Sequence, residues 1–419
     1  MVSTVTAPGE PVGGRPAHRD GNVLRWVGAY TASMVGDGVY YLALSWAAVQ
    51  QGTPAEAGLV MTVSAVPRAL LLPGGGVIVD RLGPRRVVIG SDALRCAAVL
   101  AVAALMFLAS PGLWLLALLA LVFGAVDALF LPAVGALPAR LTGKGQLARV
   151  QGMRGLAVRA ANVVGAPLGG LVVAVGGAAA AFAVAGLLIA VSLPLLVTLR
   201  VAGPPPDEAP DAGERRSTAW RDLSGGLGYV RRHPVLAPLM LAIALGDLGF
   251  VGPLNVGLTL LADERGWGAA GMGWILAAFG AGAGGVSLLL TVRGRVPRAG
   301  LVAGAAIIAG SVAIAALARV PTVVGAVGAA LAVGLLAGLS GALCGALLQT
   351  QSDPAFLGRV TALSGLVSLG LAPLSMPVSA AAVQVWGTGP VFAVSAAVCA
   401  LGGVVALAVP ALRRAELPG

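Results

Sequence analysis

Charge is what this chain has least of. Asp, Glu, Lys and Arg make up 11% of its 419 residues against 58% hydrophobic, and the mean hydropathy is +0.93. That excludes a soluble globular domain, in which about a quarter of the residues are charged, and calls for a membrane as solvent. Aromatic residues are few as well, at 5%, while glycines number 62, a mix suited to close helix contacts in lipid. Cysteine occurs three times, at Cys96, Cys344 and Cys399, always inside an apolar run. Buried free thiols are expected there, not disulfides or metal ligands. The two histidines, His18 and His233, fall in the N-terminal tail and at a helix entrance, which gives them no partner for metal or catalytic work. One lysine stands beside 26 arginines, and with abundant Ala, Gly and Val this points to a GC-rich bacterial genome.

Missing motifs bound the function further. Gly143-Lys144-Gly145 lacks the rest of a Gly-x-x-x-x-Gly-Lys-Ser/Thr phosphate loop, so ATP is not expected to drive the protein directly. No nucleophile stands with a base at one depth, nor do metal ligands cluster, which argues against a membrane-embedded enzyme and against any cofactor. Segments of about ten alternating residues, the mark of a transmembrane barrel, do not occur.

Apolar runs of about 20 residues, enough to cross the hydrocarbon as helix, recur from end to end. They predict twelve spans, near 23–48, 56–79, 87–109, 112–138, 149–174, 178–199, 235–261, 269–291, 300–318, 321–347, 360–384 and 389–411. The formal net charge of +10 sits in the short loops between them and not on a soluble face, so nucleic acid is not an expected partner. Alternate loops carry Arg81, Arg85 and Arg86, then Arg140, Lys144 and Arg149, then Arg200 to Arg232, then Arg293, Arg295 and Arg298, then Arg359. The other loops hold only Arg265 and Arg319. By the positive-inside rule the basic set and both termini face the cytoplasm.

The longest polar break, with Pro204, Pro205 and Pro206 followed by a predicted surface helix from Thr218 to Arg232, divides the chain. The expected order is a disordered cytoplasmic tail over 1–22 and not a cleaved signal, a six-helix bundle over 23–199, and a cytoplasmic connector over 200–234. A second six-helix bundle over 235–412 and a short cytoplasmic tail over 413–419 complete it. Gly36-Asp37-Gly38-Val39-Tyr40 in span 1 is echoed by Gly246-Asp247-Leu248-Gly249-Phe250 in span 7, an offset of 246 minus 36, or 210. The basic loop at Arg81 to Arg86 recurs at Arg293 to Arg298 with nearly that offset. Duplicated halves with a midplane site between them are a common transporter plan.

Ionisable side chains at helix centre cost about 2.5–3.5 kcal/mol on insertion scales, so each should face a cavity or a partner. Counting residues from the cytoplasmic ends puts Asp37 and Arg68 at one depth and predicts that they pair or share a polar cavity. The same count along the hairpin of spans 4 and 5 offers Asp127 with Arg159 as a second pair. Asp247 has no basic residue at its level, which suits a proton carrier, with Phe250 and Asn255 beyond it on the same span. Asp92 and Arg95, one turn apart near the start of span 3, read as a structural pair close to the cytoplasmic surface. Tyr30, Met34, Asp37 and Tyr41 fall on one helix face, as do Phe123, Asp127 and Phe130, and each face makes a plausible wall for an amphipathic or cationic ligand. An aromatic stripe at helical spacing also serves plain packing.

At the junction of spans 2 and 3 the chain reads Gly76-Val77-Ile78-Val79-Asp80-Arg81-Leu82-Gly83-Pro84-Arg85-Arg86, which resembles the loop signature of the major facilitator superfamily. The resemblance implies that Gly76 and Gly83 permit close helix approach and that Asp80, Arg81, Arg85 and Arg86 form a charge cluster latching one conformation. Ser33-Met34-Val35-Gly36-Asp37 with Ala43-Leu44-Ser45-Trp46, Pro67-Arg68, Arg231-Arg232-His233-Pro234-Val235-Leu236, and Gln349 with Gly358-Arg359-Val360 extend it. They are similar to the bacterial drug and proton antiporter branch that includes macrolide-efflux and enterobactin-exporter proteins. Gly165-Ala166-Pro167-Leu168-Gly169-Gly170 resembles the antiporter signature of the fifth helix, although its Ala-Pro order is reversed from the usual Gly-Pro. Pro84 replaces a common basic residue, Ser45 stands where proline is frequent, and span 4 carries Asp127 where many proton antiporters have arginine.

What the resemblance implies is a monomeric multi-pass protein of the bacterial inner membrane, all α-helical, with two pseudo-symmetric six-helix bundles. It would export small amphipathic molecules of drug, antibiotic or siderophore type by alternating access, with protons and a small-molecule substrate as its partners and the bilayer around it. Asp37 is the first candidate for proton or substrate handling, followed by Asp247 and Asp127. Uptake or facilitated diffusion of a metabolite needs the same architecture, and a non-transporting scaffold or sensor would leave the midplane charges purely structural.

Overall fold

A segment crossing lipid must satisfy its backbone polar groups internally, and the described residues accordingly form helices, with no strand among them. A computed structural model describes residues 19–109, 112–142, 146–201, 219–293, 296–353 and 356–417. The proline-rich part of the connector, the basic residues Lys144 and Arg295, and the side chains of Asp80 and Arg293 lie outside the described set.

In chain order the helices are α1 Gly21–Gln51, α2 Pro54–Val63, α3 Ala65–Leu82, α4 Pro84–Leu108, α5 Leu113–Leu141, α6 Leu147–Val197, α7 Ala219–Arg232 and α8 Leu236–Gly252. After a π turn at Pro253–Gly257 come α9 Leu258–Glu264, α10 Gly268–Arg293, α11 Ala299–Leu317, α12 Val323–Gln351 and α13 Leu357–Gly365. A second π turn at Leu366–Leu371 and a 3-10 turn at Ala372–Leu374 lead into α14 Ser375–Trp386, α15 Thr388–Ala408 and α16 Pro410–Arg413. Among the described residues eight helices are long and apolar enough to cross a membrane by length and composition, and α6 alone covers predicted spans 5 and 6. Predicted spans 1, 2 and 11 also coincide with helix, but outside those eight.

Local chemistry sets the boundaries. Asp20 caps α1 by accepting from the Asn22 backbone N–H at 2.8 Å, and Thr53 with Glu56 makes a reciprocal capping box in front of α2. Ser64 separates α2 from α3, so predicted span 2 is two helices and not one. Pro253 lacks a backbone N–H to donate and opens the first π turn; Pro373 sits in the 3-10 turn that follows the second.

The 51 residues of α6 contain one non-helical residue, Gly177, at φ 75 and ψ −178. The chain reverses there, because α1 packs on both sides of it: Gly38 approaches Gly165, while Gly36 approaches Ala185 and Ile189. Gly387, between α14 and α15, has φ 79 and ψ 172, nearly the same conformation 210 residues later (387 minus 177). The repeat seen in the sequence therefore extends to the joint that closes each half.

Helices α1 to α6 pack largely on one another, as do α8 to α15, and two seams join the sets: α6 on α10 and α2 on α14. In the first seam Gly170 is pressed on the Ala269 backbone and Gly273 on Ala166 and Pro167; in the second Gly58 is pressed on Ala380 and Pro377. The predicted spans in these seams are 5 with 8 and 2 with 11, which exchange under a two-fold relation between the halves.

Candidate functional site

The carboxylate of Asp37 lies at the middle of α1, and what answers it is Arg95. The Arg95 Nη1 donates to both Asp37 oxygens, at 2.8 and 3.1 Å, and stands 3.6 Å from Asp127 Oδ1. Its Nη2 donates to Ser33 Oγ at 3.1 Å and to Asp92 Oδ1. Arg95 is completely buried, and a buried arginine persists only when its charge is matched. Its two terminal nitrogens are satisfied by these partners, and its Nε has no hydrogen-bond partner among the described residues. The Phe130 ring centroid lies 4.0 Å from the guanidinium carbon, with Phe123 at 6.0 Å. Asp92 in turn accepts from Ser33 at 3.1 Å and from Ser192 of α6 at 2.5 Å.

A second arginine extends the chain. Arg68 of α3 donates to Asp127 Oδ2 at 2.7 Å and to the Tyr41 hydroxyl at 2.9 Å, and Tyr41 donates to Asp127 at 3.2 Å. Three carboxylates and two guanidiniums thus form one connected network across α1, α3, α4 and α5. Asp37 and Asp127 keep 13% of their side-chain surface accessible and Arg68 17%, whereas Asp92 keeps 1%. Asp37 and Asp127 are therefore reachable from the interior, and Asp92 is enclosed.

Several expected pairings are corrected by this geometry. Asp37 pairs with Arg95 and not with Arg68, and Asp127 pairs with Arg68 and Arg95 and not with Arg159. Arg159 lies on α6 opposite Gly284 of α10, its Cδ 3.8 Å from where a Cβ at Gly284 would stand. Residue counting gives depth along a helix but not the direction in which a side chain leaves it. Asp92 and Arg95 do pair, but at mid-helix: α4 begins at Pro84, so Arg95 is its twelfth residue of 25 and not a residue near the surface.

The proposed ligand walls also change. Phe123 and Phe130 are buried under Arg95, and Phe123 stacks on Tyr40 with centroids 3.7 Å apart. Tyr30 is buried against Trp26, centroids 5.9 Å apart, with Arg154 at 5.6 Å from its ring, and Met34 packs in the same cluster. Phe123 and Phe130 therefore pack against the network, and Tyr30 and Met34 belong to an apolar cluster with Trp26. In the expected latch, Arg85 donates to the Leu196 and Val197 carbonyls and so fixes the start of α4 to the end of α6. Gly83, at φ 84, makes the turn between α3 and α4, and Arg81 and Arg86 are exposed. Gly76 meets nothing; the close approach belongs to Gly75, pressed on the Ala128 carbonyl. In the helix 5 motif Gly165 abuts Gly38 and Gly169 abuts Val39, while Pro167 and Gly170 form the α10 seam.

The second half is built differently. Around Asp247 lies a cavity of about 560 Å³, lined among others by Phe250, Ser340, Cys344, Ser368 and Cys399, and no lysine or arginine is among its described lining residues. Ser368, in the second π turn, donates to Asp247 Oδ2 at 2.5 Å. Asn255 is not part of this wall: its side chain donates to the Val251 carbonyl and its own carbonyl accepts from Ser45 at 3.3 Å. Serines 33, 192 and 368 and the buried Tyr40 are functional neighbours that charge-based reading passes over, although Ser33 and Tyr40 flank Asp37 at helical spacing.

The halves also meet at the end opposite the arginine-rich loops. Ser45 and Thr259 share a hydrogen bond of 2.5 Å, and Gln50 donates to Asp263 at 2.7 Å. Thr388 donates to Glu264 at 2.6 Å, and Arg265 reaches the Ala318 carbonyl at 2.9 Å. That end of the seam between α1 and α9 is closed.

Comparison with known proteins adds to this geometry. The family model of the Major Facilitator Superfamily matches residues 27–373. The enterobactin exporter EntS of Shigella boydii is 27% identical over 309 residues, which span 74% of this chain and 72% of that protein, and the same exporter of Escherichia coli matches to the same extent. Among solved structures, a mutant of the nucleoside transporter NupG superposes with a TM-score of 0.74 at 13% identity, covering 93% of this chain and 100% of that one. The POT family transporter PepTSo gives 0.71 at 12% identity, with 96% and 99% covered. At these identities the two structures show the shared fold.

Proposed function

The chain belongs to the Major Facilitator Superfamily and is a multi-pass membrane transporter and not an enzyme, and from that premise we propose that it exports small amphipathic molecules in exchange for protons. The observation that carries the coupling is the network of Asp37, Asp92 and Asp127 with Arg95 and Arg68. Three carboxylates against two guanidiniums leave one negative charge unmatched, so the network takes up one proton without stranding a positive charge. Asp37, reached from the interior and held by Arg95 alone among cations, is the site we assign to that proton, with Asp127 sharing it through Arg95. Export is favoured by the likeness to enterobactin exporters; likeness of fold to nucleoside and peptide transporters carries no direction.

In this reading the two bundles, 23–199 and 235–412, rock about the α6–α10 and α2–α14 seams. The arginine loops and both termini face the cytoplasm of a bacterium, and a monomer suffices. The bonds of Ser45 with Thr259 and of Gln50 with Asp263 then hold the outer side shut, and the described state opens inward. Arg85 and its neighbours at the α3–α4 turn fix the inner ends of the first bundle.

Asp37→Asn, purified and reconstituted in proteoliposomes, should lose export driven by an imposed pH gradient while keeping the wild-type melting temperature to within a few degrees. Export at the wild-type rate would remove Asp37 from the coupling role. Transport that ignores the gradient in the unaltered protein would remove proton antiport altogether.

A further inference from the structure

The two halves can be set side by side in sequence. Asp37, Tyr40, Phe123 and Asp127 correspond, 210 residues on, to Asp247, Phe250, Val333 and Ala337, and all four of these line the second-half cavity. In the alignment of α4 with α11 the offset is 211 (306 minus 95): the buried positions Val88, Asp92, Arg95 and Cys96 recur as buried Ala299, Ala303, Ala306 and Ile307. Ala306 and Ile307 line the cavity too. In sequence register, the residues that line the cavity are therefore counterparts of those that carry the Arg95 network in the first half. One element of that network survives there, the carboxylate of Asp247, while the sequence position of the guanidinium is held by Ala306, which lines the same cavity.

We infer that a cationic nitrogen of the cargo, an ammonium or a guanidinium, takes the place at Asp247 that Arg95 takes at Asp37, so that the transported molecules are amphipathic cations and not anions. A carboxylate at this depth needs a cation or its own proton to match it, Ser368 supplies only a neutral donor, and a cationic cargo is the match that also fills the cavity. The cavity, about 560 Å³, lies within the range of about 300–1,000 Å³ typical of drug-sized ligands and is far larger than an arginine side chain. The cargo must bring an apolar body as well as a charge, and Ile243, Phe250, Ile314 and Leu348 face that body. Among the described residues of the lining no cationic side chain would balance a carboxylate or catecholate cargo.

The inference rests on the transporter reading above, but binding without any gradient separates the two. Rhodamine 6G, an aromatic monocation, and fluorescein, an anion on the same ring system, are titrated against the full chain in lipid nanodiscs at one pH and followed by fluorescence anisotropy. Saturable binding of rhodamine 6G alone is expected, weakened at least tenfold by Asp247→Asn. Ala306→Arg should restore the internal pair, abolish rhodamine 6G binding and raise the melting temperature, and adding Asp247→Asn to it should cancel that rise. If Asp247→Asn fails to fold, Ala306→Arg still decides. Equal binding of fluorescein, retention of rhodamine 6G affinity within twofold in a folded Asp247→Asn, or unchanged binding in Ala306→Arg would each overturn the inference. Gradient-driven export of an anion would do so while leaving proton-coupled export standing; cation binding without transport under any gradient would do the reverse.

Discussion

In the first half, Asp37 is met by Arg95 at 2.8 Å, and beneath that guanidinium an aromatic ring closes the space. In the second half, Asp247 stands at the corresponding position, faces about 560 Å³ of room and has a serine for company. The same carboxylate thus begins two opposite arrangements. The first half packs charge against charge, and the second leaves a carboxylate facing open space with no described cationic side chain in the lining. Under the proposed function the first arrangement serves the proton and the second the cargo, so the difference between the halves bears more on function than the repeat they share.

The contrast breaks most readily at Arg95. Arg95→Leu strands two carboxylates, Asp37 and Asp92, beside a buried apolar side chain and should destabilise the protein by about 3–5 kcal/mol, whereas Asp247→Asn removes little that the fold relies on and should cost no more than about 1 kcal/mol. Melting of the purified variants in detergent measures both, and comparable losses would mean that the halves are not organised differently after all. The shared features should respond alike. Gly177→Ala and Gly387→Ala each force a side chain into a backbone region that essentially only glycine occupies, at about 1–3 kcal/mol, and a marked inequality between them would undo the equivalence of the two joints. The smallest effect is expected at the closed end, where Gln50→Ala removes one hydrogen bond across the halves, about 0.5–1.5 kcal/mol. Hydrogen exchange at the facing ends of α1 and α9 should quicken, and unchanged protection there would show that this bond does not hold the end shut.

How far the sequence reaches depends on which dimension is asked for. Helix positions along the chain follow from apolar runs because lipid tolerates no other backbone, and the depth of Asp37, Arg68, Asp127 and Asp247 follows from a fixed rise per residue. Partners do not follow, because pairing Asp37 with Arg95 instead of Arg68 depends on how helices are rotated about their axes, and tertiary packing decides that. Arg95 was placed too near the surface for a simpler reason: α4 starts at Pro84, within what reads as a basic loop. The breaks at Ser64 and in the two π turns are equally silent in the hydropathy pattern, yet the second of them carries Ser368 to Asp247. Gly75 in place of Gly76 is the same problem at the scale of one residue, since neighbouring positions on a helix point about 100° apart.

The matched glycine joints divide what the two copies share from what they do not. A trait held in common by two copies of a duplicated unit belongs to the ancestor of both, and Gly177 with Gly387 is such a trait, as is the carboxylate at Asp37 and Asp247. Arg95 and the hollow around Ala306 are not held in common. The shared joint and the shared acid therefore belong to the repeat, and the guanidinium of one half and the hollow of the other are where the copies have diverged.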